Sequence, residues 1–103
     1  MIAAADPTVR AGTTRIGFVG LGNVGSKLAE SVMRNGFDLA VHDLDPGLVG
    51  GFVERGATAA GSPRALAERC DVVITCLPNP AASATVVDGA DGLLRGWAEG
   101  KVW

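Results

Sequence analysis

Several features that mark whole classes of protein are missing from this chain. No apolar run approaches the ~20 residues that cross a bilayer. The longest, Ile16–Leu21 and Val72–Leu77, have the length of strands. The first residues lack the basic segment and apolar core of a secretory signal, so no membrane or export role is expected. Cysteine is scarce: Cys70 and Cys76 are the only two, and they lack C-x-x-C spacing. Reduced thiols in a cytoplasmic setting are the expectation. Positive charge is not in excess, with 9 Lys and Arg against 11 Asp and Glu and a net charge of −2. Without a basic patch to neutralise phosphates, nucleic-acid binding is not expected. His42 is the single histidine. With no visible triad or metal partner it is taken as a structural or surface residue. No metal-ligand set is present, and Asp88 and Asp91 sit in turn contexts rather than as a catalytic pair.

What remains describes a small globular α/β domain. At 103 residues the chain fits one domain, and 48% hydrophobic residues against 19% charged exclude a disordered one. Residues 1–14 show no periodicity and are expected to form a flexible leader. Arg15–Gly20 is a short apolar run closed by glycine, which suits a buried strand. Asn23–Asn35 has helical spacing, with Val24, Leu28 and Val32 as its apolar stripe and Ala29 and Met33 beside it. Asn35-Gly36 is its stop. Residues 37–43 alternate as a second strand. Asp45-Pro46 and Ser62-Pro63 each pair a cap with a proline at the first helical position. They open helices expected to end at Gly56 and about Arg69, with a short strand at 57–60 between them. Asp71–Leu77 is the strongest strand, and its β-branched core predicts a central place covered on both faces. A helix over Ala81–Val87, turns at Asp88-Gly89 and Asp91-Gly92, and a strand beginning at Lys101–Trp103 follow. Strands alternating with helices imply a doubly wound parallel sheet with right-handed crossovers. Its expected order is 3-2-1-4, cut short before the sheet is complete. An unpaired apolar edge there invites self-association.

The first strand runs into Gly20-Leu21-Gly22-Asn23-Val24-Gly25, a G-x-G-x-x-G turn in its full strand–turn–helix setting. Gly20 permits the turn out of the strand. Gly22 removes a side chain where a pyrophosphate approaches, and Gly25 lets the helix pack closely. The amides of Asn23 and Val24, at the positive end of the helix dipole, favour an anion. Asp43 ends the second strand, 18 residues beyond Gly25, where an acid meets the ribose hydroxyls of a bound dinucleotide. A carboxylate there repels a 2′-phosphate, and no Arg or Lys follows within ten residues. NAD is therefore favoured over NADP. Leu77-Pro78 ends the strand next to the first, at the switch point where ligands of such sheets bind.

With Gly17-Phe18-Val19-Gly20-Leu21-Gly22-Asn23-Val24-Gly25, the chain resembles the N-terminal part of the β-hydroxyacid dehydrogenases. That family is typified by 3-hydroxyisobutyrate dehydrogenase and related to 6-phosphogluconate dehydrogenase. Gly56-Ala57, Ser62-Pro63, Asp71-Val72-Val73-Ile74, Leu77-Pro78 and Gly89–Leu93 continue the family pattern in order. Val24 and Cys76 stand where methionine is usual. The resemblance implies a Rossmann-type domain over 15–103, holding NAD(P) for hydride transfer with a β-hydroxyacid. The family's catalytic lysine, its D-x-S-T segment and its helical domain have no counterpart among these residues, so none here is assigned a catalytic role. A non-catalytic dinucleotide-binding module, or a gene remnant, is the alternative.

Overall fold

The computed structural model describes residues 14–77, 80–98 and 101–103. All of the expected leader except Thr14 lies outside the described residues, as does Pro78. Along the chain run β1 (Arg15–Val19), α1 (Asn23–Arg34), β2 (Asp38–His42), α2 (Pro46–Val53), β3 (Thr58–Ala59), α3 (Pro63–Arg69), β4 (Val72–Thr75) and α4 (Pro80–Asp88). The strands pair in parallel in the order β3-β2-β1-β4. That is the doubly wound arrangement expected from the alternation of strands and helices.

The two faces of the sheet carry different helices. Ile16 and Phe18 of β1, with Leu39 and Val41 of β2, pack against Ala29 of α1 and Phe52 of α2. Val19, Ala40 and Val73 face the other way, onto Leu66 and Ala67 of α3. Ile16 through Val19 are all buried, which is why β1 shows no alternation of apolar and polar residues. Each such large apolar side chain contributes roughly 1.5–3 kcal/mol on burial. Gly17 sets the spacing of the second layer. A Cβ there would collide with Leu66 Cδ2 and stand 2.9 Å from Cys70 Sγ, so α3 lies directly on the β1 backbone.

The caps are where the sequence puts them. Asp45 Oδ1 accepts from Gly47 N–H at 2.8 Å, and Ser62 Oγ accepts from Ala65 N–H at 3.1 Å. Gly36, at φ +81°, ends α1, its N–H donating to Met33 O at 3.0 Å. The second helix stops at Val53 rather than Gly56, and the chain turns through Arg55 and Gly56 instead.

The packed face of α1 differs from the expected stripe. Gly25 and Ala29 are buried and Val32 and Met33 pack beside them, while Val24 and Leu28 are 64% and 49% exposed. The cause is Gly25, which must face the turn before it. Residues four, seven and eight further on then follow, and Val24 and Leu28 lie about 100° and about 60° aside of Gly25.

The fourth strand is also less covered than expected. Val72 and Val73 are buried, but Ile74 and Thr75 only half so, because β1 holds the centre of the sheet. Beyond β4 the strand begun at Lys101 amounts to one parallel bridge, Val72 to Val102. Val73 N–H donates to Val102 O at 2.8 Å, and Val102 N–H to Asp71 O at 2.9 Å. A 3-10 turn at Leu93–Gly96, not expected from the sequence, packs on α3. A Cβ at Gly96 would strike the Arg64 carbonyl.

Cys70 and Cys76 are both free, as their separation along the chain implies. Cys70 is buried, and burial pushes its thiol up to about 11. At pH 8 only ~10⁻³ of it is thiolate, the reactive form. Iodoacetamide at pH 8 should therefore modify the native chain once, at half-buried Cys76, and twice after denaturation. Peptide mass mapping reads the outcome.

Candidate dinucleotide-binding site

The site is built at the carboxyl ends of β1, β2 and β4. The β1 ladder continues one residue past the strand: Gly20 N–H donates to His42 O at 3.1 Å, while Cys76 N–H donates to Val19 O at 2.9 Å. The turn is thus tethered to both neighbouring strands. Gly20 adopts φ +97°, and a Cβ there would strike the Cys76 carbonyl and sit 3.3 Å from Leu77 Cδ2. Glycine is required at this position by conformation and by space. At Gly25 a Cβ would strike the Gly20 carbonyl and lie 3.4 Å from Cys76 Cβ. This is the close approach that brings α1 down onto the turn.

Gly22 differs from both. Its backbone is extended, φ −68° and ψ −167°, and a Cβ there would meet nothing within 4 Å. The folded protein makes no demand for glycine at this position, and the space outside it is open. Gly22 is also the N-cap of α1, with no side-chain hydrogen bond to the helix and no acidic residue in the first turn. The first-turn amides of Asn23 and Val24 therefore front that open space, at a helix end carrying roughly +0.5 charge. The combination suits a pyrophosphate.

Asp43 stands on the same edge. Its Oδ2 accepts from Leu21 N–H at 2.7 Å, and its Oδ1 accepts from Asp45 N–H at 2.9 Å. A carboxylate has about four acceptor positions, so capacity for ribose hydroxyls remains. The bond to Leu21 was not legible in the sequence, since it joins residues 22 apart. Leu21 itself is 1% exposed, its side chain part of the core. It belongs to the site through its backbone. Val24 is exposed beside the open space, and Leu77 borders Gly20. Cys76, under the turn, was not anticipated as part of it. Its signal was its place at the end of the strand neighbouring β1.

Other polar groups serve elsewhere. His42 Nδ1 lies 3.0 Å from Ala60 O, a structural contact. Lys101 Nζ donates to Cys70 O at 2.7 Å, at the amino end of β4 and so the opposite end of the sheet. Lys27 is exposed on α1. A cavity of about 220 Å³ lined by Arg15, Asp38 and Arg69 also opens at the amino ends of the strands. Among the described residues no group of three or more metal-ligating side chains forms, and no helix is long and apolar enough to cross a membrane.

Residues 15–103 match the model of the NAD binding domain of 6-phosphogluconate dehydrogenase. The chain belongs to this family. It is an NAD(P)-binding domain. It is 36% identical to mouse 3-hydroxyisobutyrate dehydrogenase, mitochondrial, over 101 residues, covering 98% of this chain and 30% of that protein. The solved 3-hydroxyisobutyrate dehydrogenase from Salmonella typhimurium superposes with a TM-score of 0.78 at 31% identity, over 86% of this chain and 31% of that one. An imine reductase from Myxococcus stipitatus shares the fold at 19% identity. It superposes with TM-scores of 0.77 in its complex with NADP⁺ and 0.78 as a variant with NAD⁺, over 85% and 86% of this chain and 30% of each. The NAD(P)-binding domain thus spans about 30% of the length of these relatives.

The three glycines of the turn should separate by experiment. Gly20→Ala and Gly25→Ala each force an overlap with backbone and should cost ~1–3 kcal/mol or more. Gly22→Ala meets no atom and should cost under ~1 kcal/mol, the weaker N-cap being its main penalty. Thermal unfolding followed by circular dichroism checks this, at roughly 4–8 °C per kcal/mol for a domain of this size.

Proposed function

We propose that the domain binds NAD across the carboxyl ends of β1, β2 and β4, as the cofactor-holding portion of a β-hydroxyacid dehydrogenase. The observation that carries this reading is the open space at Gly22, fronted by the uncapped amides of α1 and flanked by Asp43. In it, Gly22 with the Asn23 and Val24 amides takes the pyrophosphate. Gly20 and Gly25 shape the turn, and Leu21 anchors it to the core. Asp43 accepts ribose hydroxyls, and Leu77 flanks the cofactor path. Bound nicotinamide supplies the hydride acceptor for a hydroxyl-bearing carbon of the substrate.

The choice of NAD over NADP rests on charge. Asp43 faces the ribose and repels a 2′-phosphate. The first basic residue after it is Arg55, whose guanidinium pairs with Glu30 at 2.8 Å and lies over the Phe52 ring. The proton of the reacting hydroxyl needs an acid/base within hydrogen-bond reach. Neither lysine of the chain offers one at this edge: Lys101 is held at the opposite end of the sheet and Lys27 lies out on α1.

Calorimetric titration tests the cofactor. NAD should bind at least about tenfold more tightly than NADP, a difference of ~1.4 kcal/mol. Equal or tighter NADP binding would overturn the preference, and no binding of either would overturn the reading. Gly22→Ala should weaken NAD at least about tenfold while leaving the fold intact. Mixed with NAD and 3-hydroxyisobutyrate, the purified 103-residue chain should form no NADH. Turnover above ~1 s⁻¹, within the ordinary enzyme range, would place an acid/base within this chain.

A further inference from the structure

We propose that Asp43 is a positioning residue that sets the glycine turn before any ligand arrives, so that affinity for the phosphates as well as the ribose passes through it. The proposal takes its ligand from the dinucleotide reading above, but it rests on two hydrogen bonds of the ligand-free fold. Oδ2 accepts from Leu21 N–H and Oδ1 from Asp45 N–H. One carboxylate thereby joins the turn after β1 to the turn after β2.

The ladder explains why a side chain is needed there. Pairing of β1 with β2 ends where Gly20 N–H meets His42 O. The next amide, Leu21 N–H, finds β2 finished and the chain already bending toward α2. An Asp43 oxygen takes the place of the strand carbonyl that is no longer there. Leu21 is 1% exposed, so water does not reach its amide easily. A buried donor of this kind must find a partner. Fixing Leu21 fixes the residue before Gly22, and so the aim of the Asn23 and Val24 amides.

Asparagine cannot replace the carboxylate in this role. Its amide offers one acceptor oxygen and two donor hydrogens, so it serves Leu21 or Asp45 and turns a donor toward the other. A change at Asp43 made to admit a 2′-phosphate would therefore loosen the pyrophosphate turn as well. Selectivity for NAD and order in the phosphate site are coupled through one side chain.

The test separates ribose from phosphate. The full chain, Asp43→Asn and the control Asp45→Ala are titrated with ADP and with 2′,3′-dideoxy-ADP, at a temperature where circular dichroism shows all three folded. The second probe lacks the hydroxyls that an acid acting only on ribose would hold. Asp43→Asn should weaken the dideoxy probe by about tenfold, a loss of ~1.4 kcal/mol. Asp45→Ala removes the carboxylate that caps α2 but keeps the backbone N–H bound to Asp43. It should leave both probes within about twofold. Amide exchange by NMR supplies a readout free of ligand. Leu21 N–H should be protected in the unliganded chain and exchange at least about tenfold faster in Asp43→Asn, with Gly20 N–H unchanged. Loss of affinity for ADP alone, the dideoxy probe being unaffected, would overturn the proposal. So would an unprotected Leu21 amide in the unsubstituted chain, a result that holds even if Asp43→Asn fails to fold. If the unsubstituted chain binds neither probe, the dinucleotide reading falls, and exchange at Leu21 decides the positioning role on its own.

Discussion

The contact between the Gly25 backbone and the Gly20 carbonyl governs the whole carboxyl edge of the sheet. A helix that begins after only three intervening residues can lie flat on the strand before it only if nothing projects between them. Once Gly25 fills that position, the rotation of α1 is settled. Ala29, Val32 and Met33 become the packed face, the first-turn amides come to front the space outside Gly22, and Val24 and Leu28 are left outside. The tether from Cys76 to Val19 brings β4 to the same point. Packing and binding geometry at this edge are consequences of one close approach.

Local chemistry was the legible part of the fold. Asp45-Pro46 and Ser62-Pro63 announced helix starts because a cap and a fixed φ act within three residues. Asn35-Gly36 announced a stop for the same kind of reason. The glycine turn and Asp43 were legible as a set, because strand, turn, helix and acid follow one another at fixed intervals. What needed the tertiary structure depends on distant neighbours. Periodicity favoured the larger side chains Val24 and Leu28 as the packed stripe, and small Gly25 and Ala29 overruled them through proximity to the strands. The apolar richness of β4 promised cover on both faces, but cover is set by what pairs beside it. The turn at Leu93–Gly96 has too few residues for a period. It is placed by Gly96 against the Arg64 carbonyl and by Arg64 N–H donating to Asp91 O at 2.7 Å.

The direction of winding reverses between β1 and β4. From β1 the chain steps through β2 to β3 with α1 and α2 on one face, then returns by α3 on the other face to β4. The two sets of connections part at that reversal, leaving the strand ends open between them. The positive end of α1 and the carboxylate of Asp43 border the same opening with opposite charge. A molecule carrying phosphates at its middle and hydroxyls toward one end complements that arrangement.

The strand order also sets a timetable for the growing chain. One partner of β1, the strand β2, is complete in the chain at residue 42, but its other partner begins at Val72. At 5–20 residues per second, those thirty residues take roughly 1.5–6 s of synthesis. Over that interval the far edge of β1, with buried-type residues Ile16 and Phe18, is unpaired. The bond from Arg15 N–H to Asp71 Oδ2, across 56 residues, marks the moment at which that edge closes.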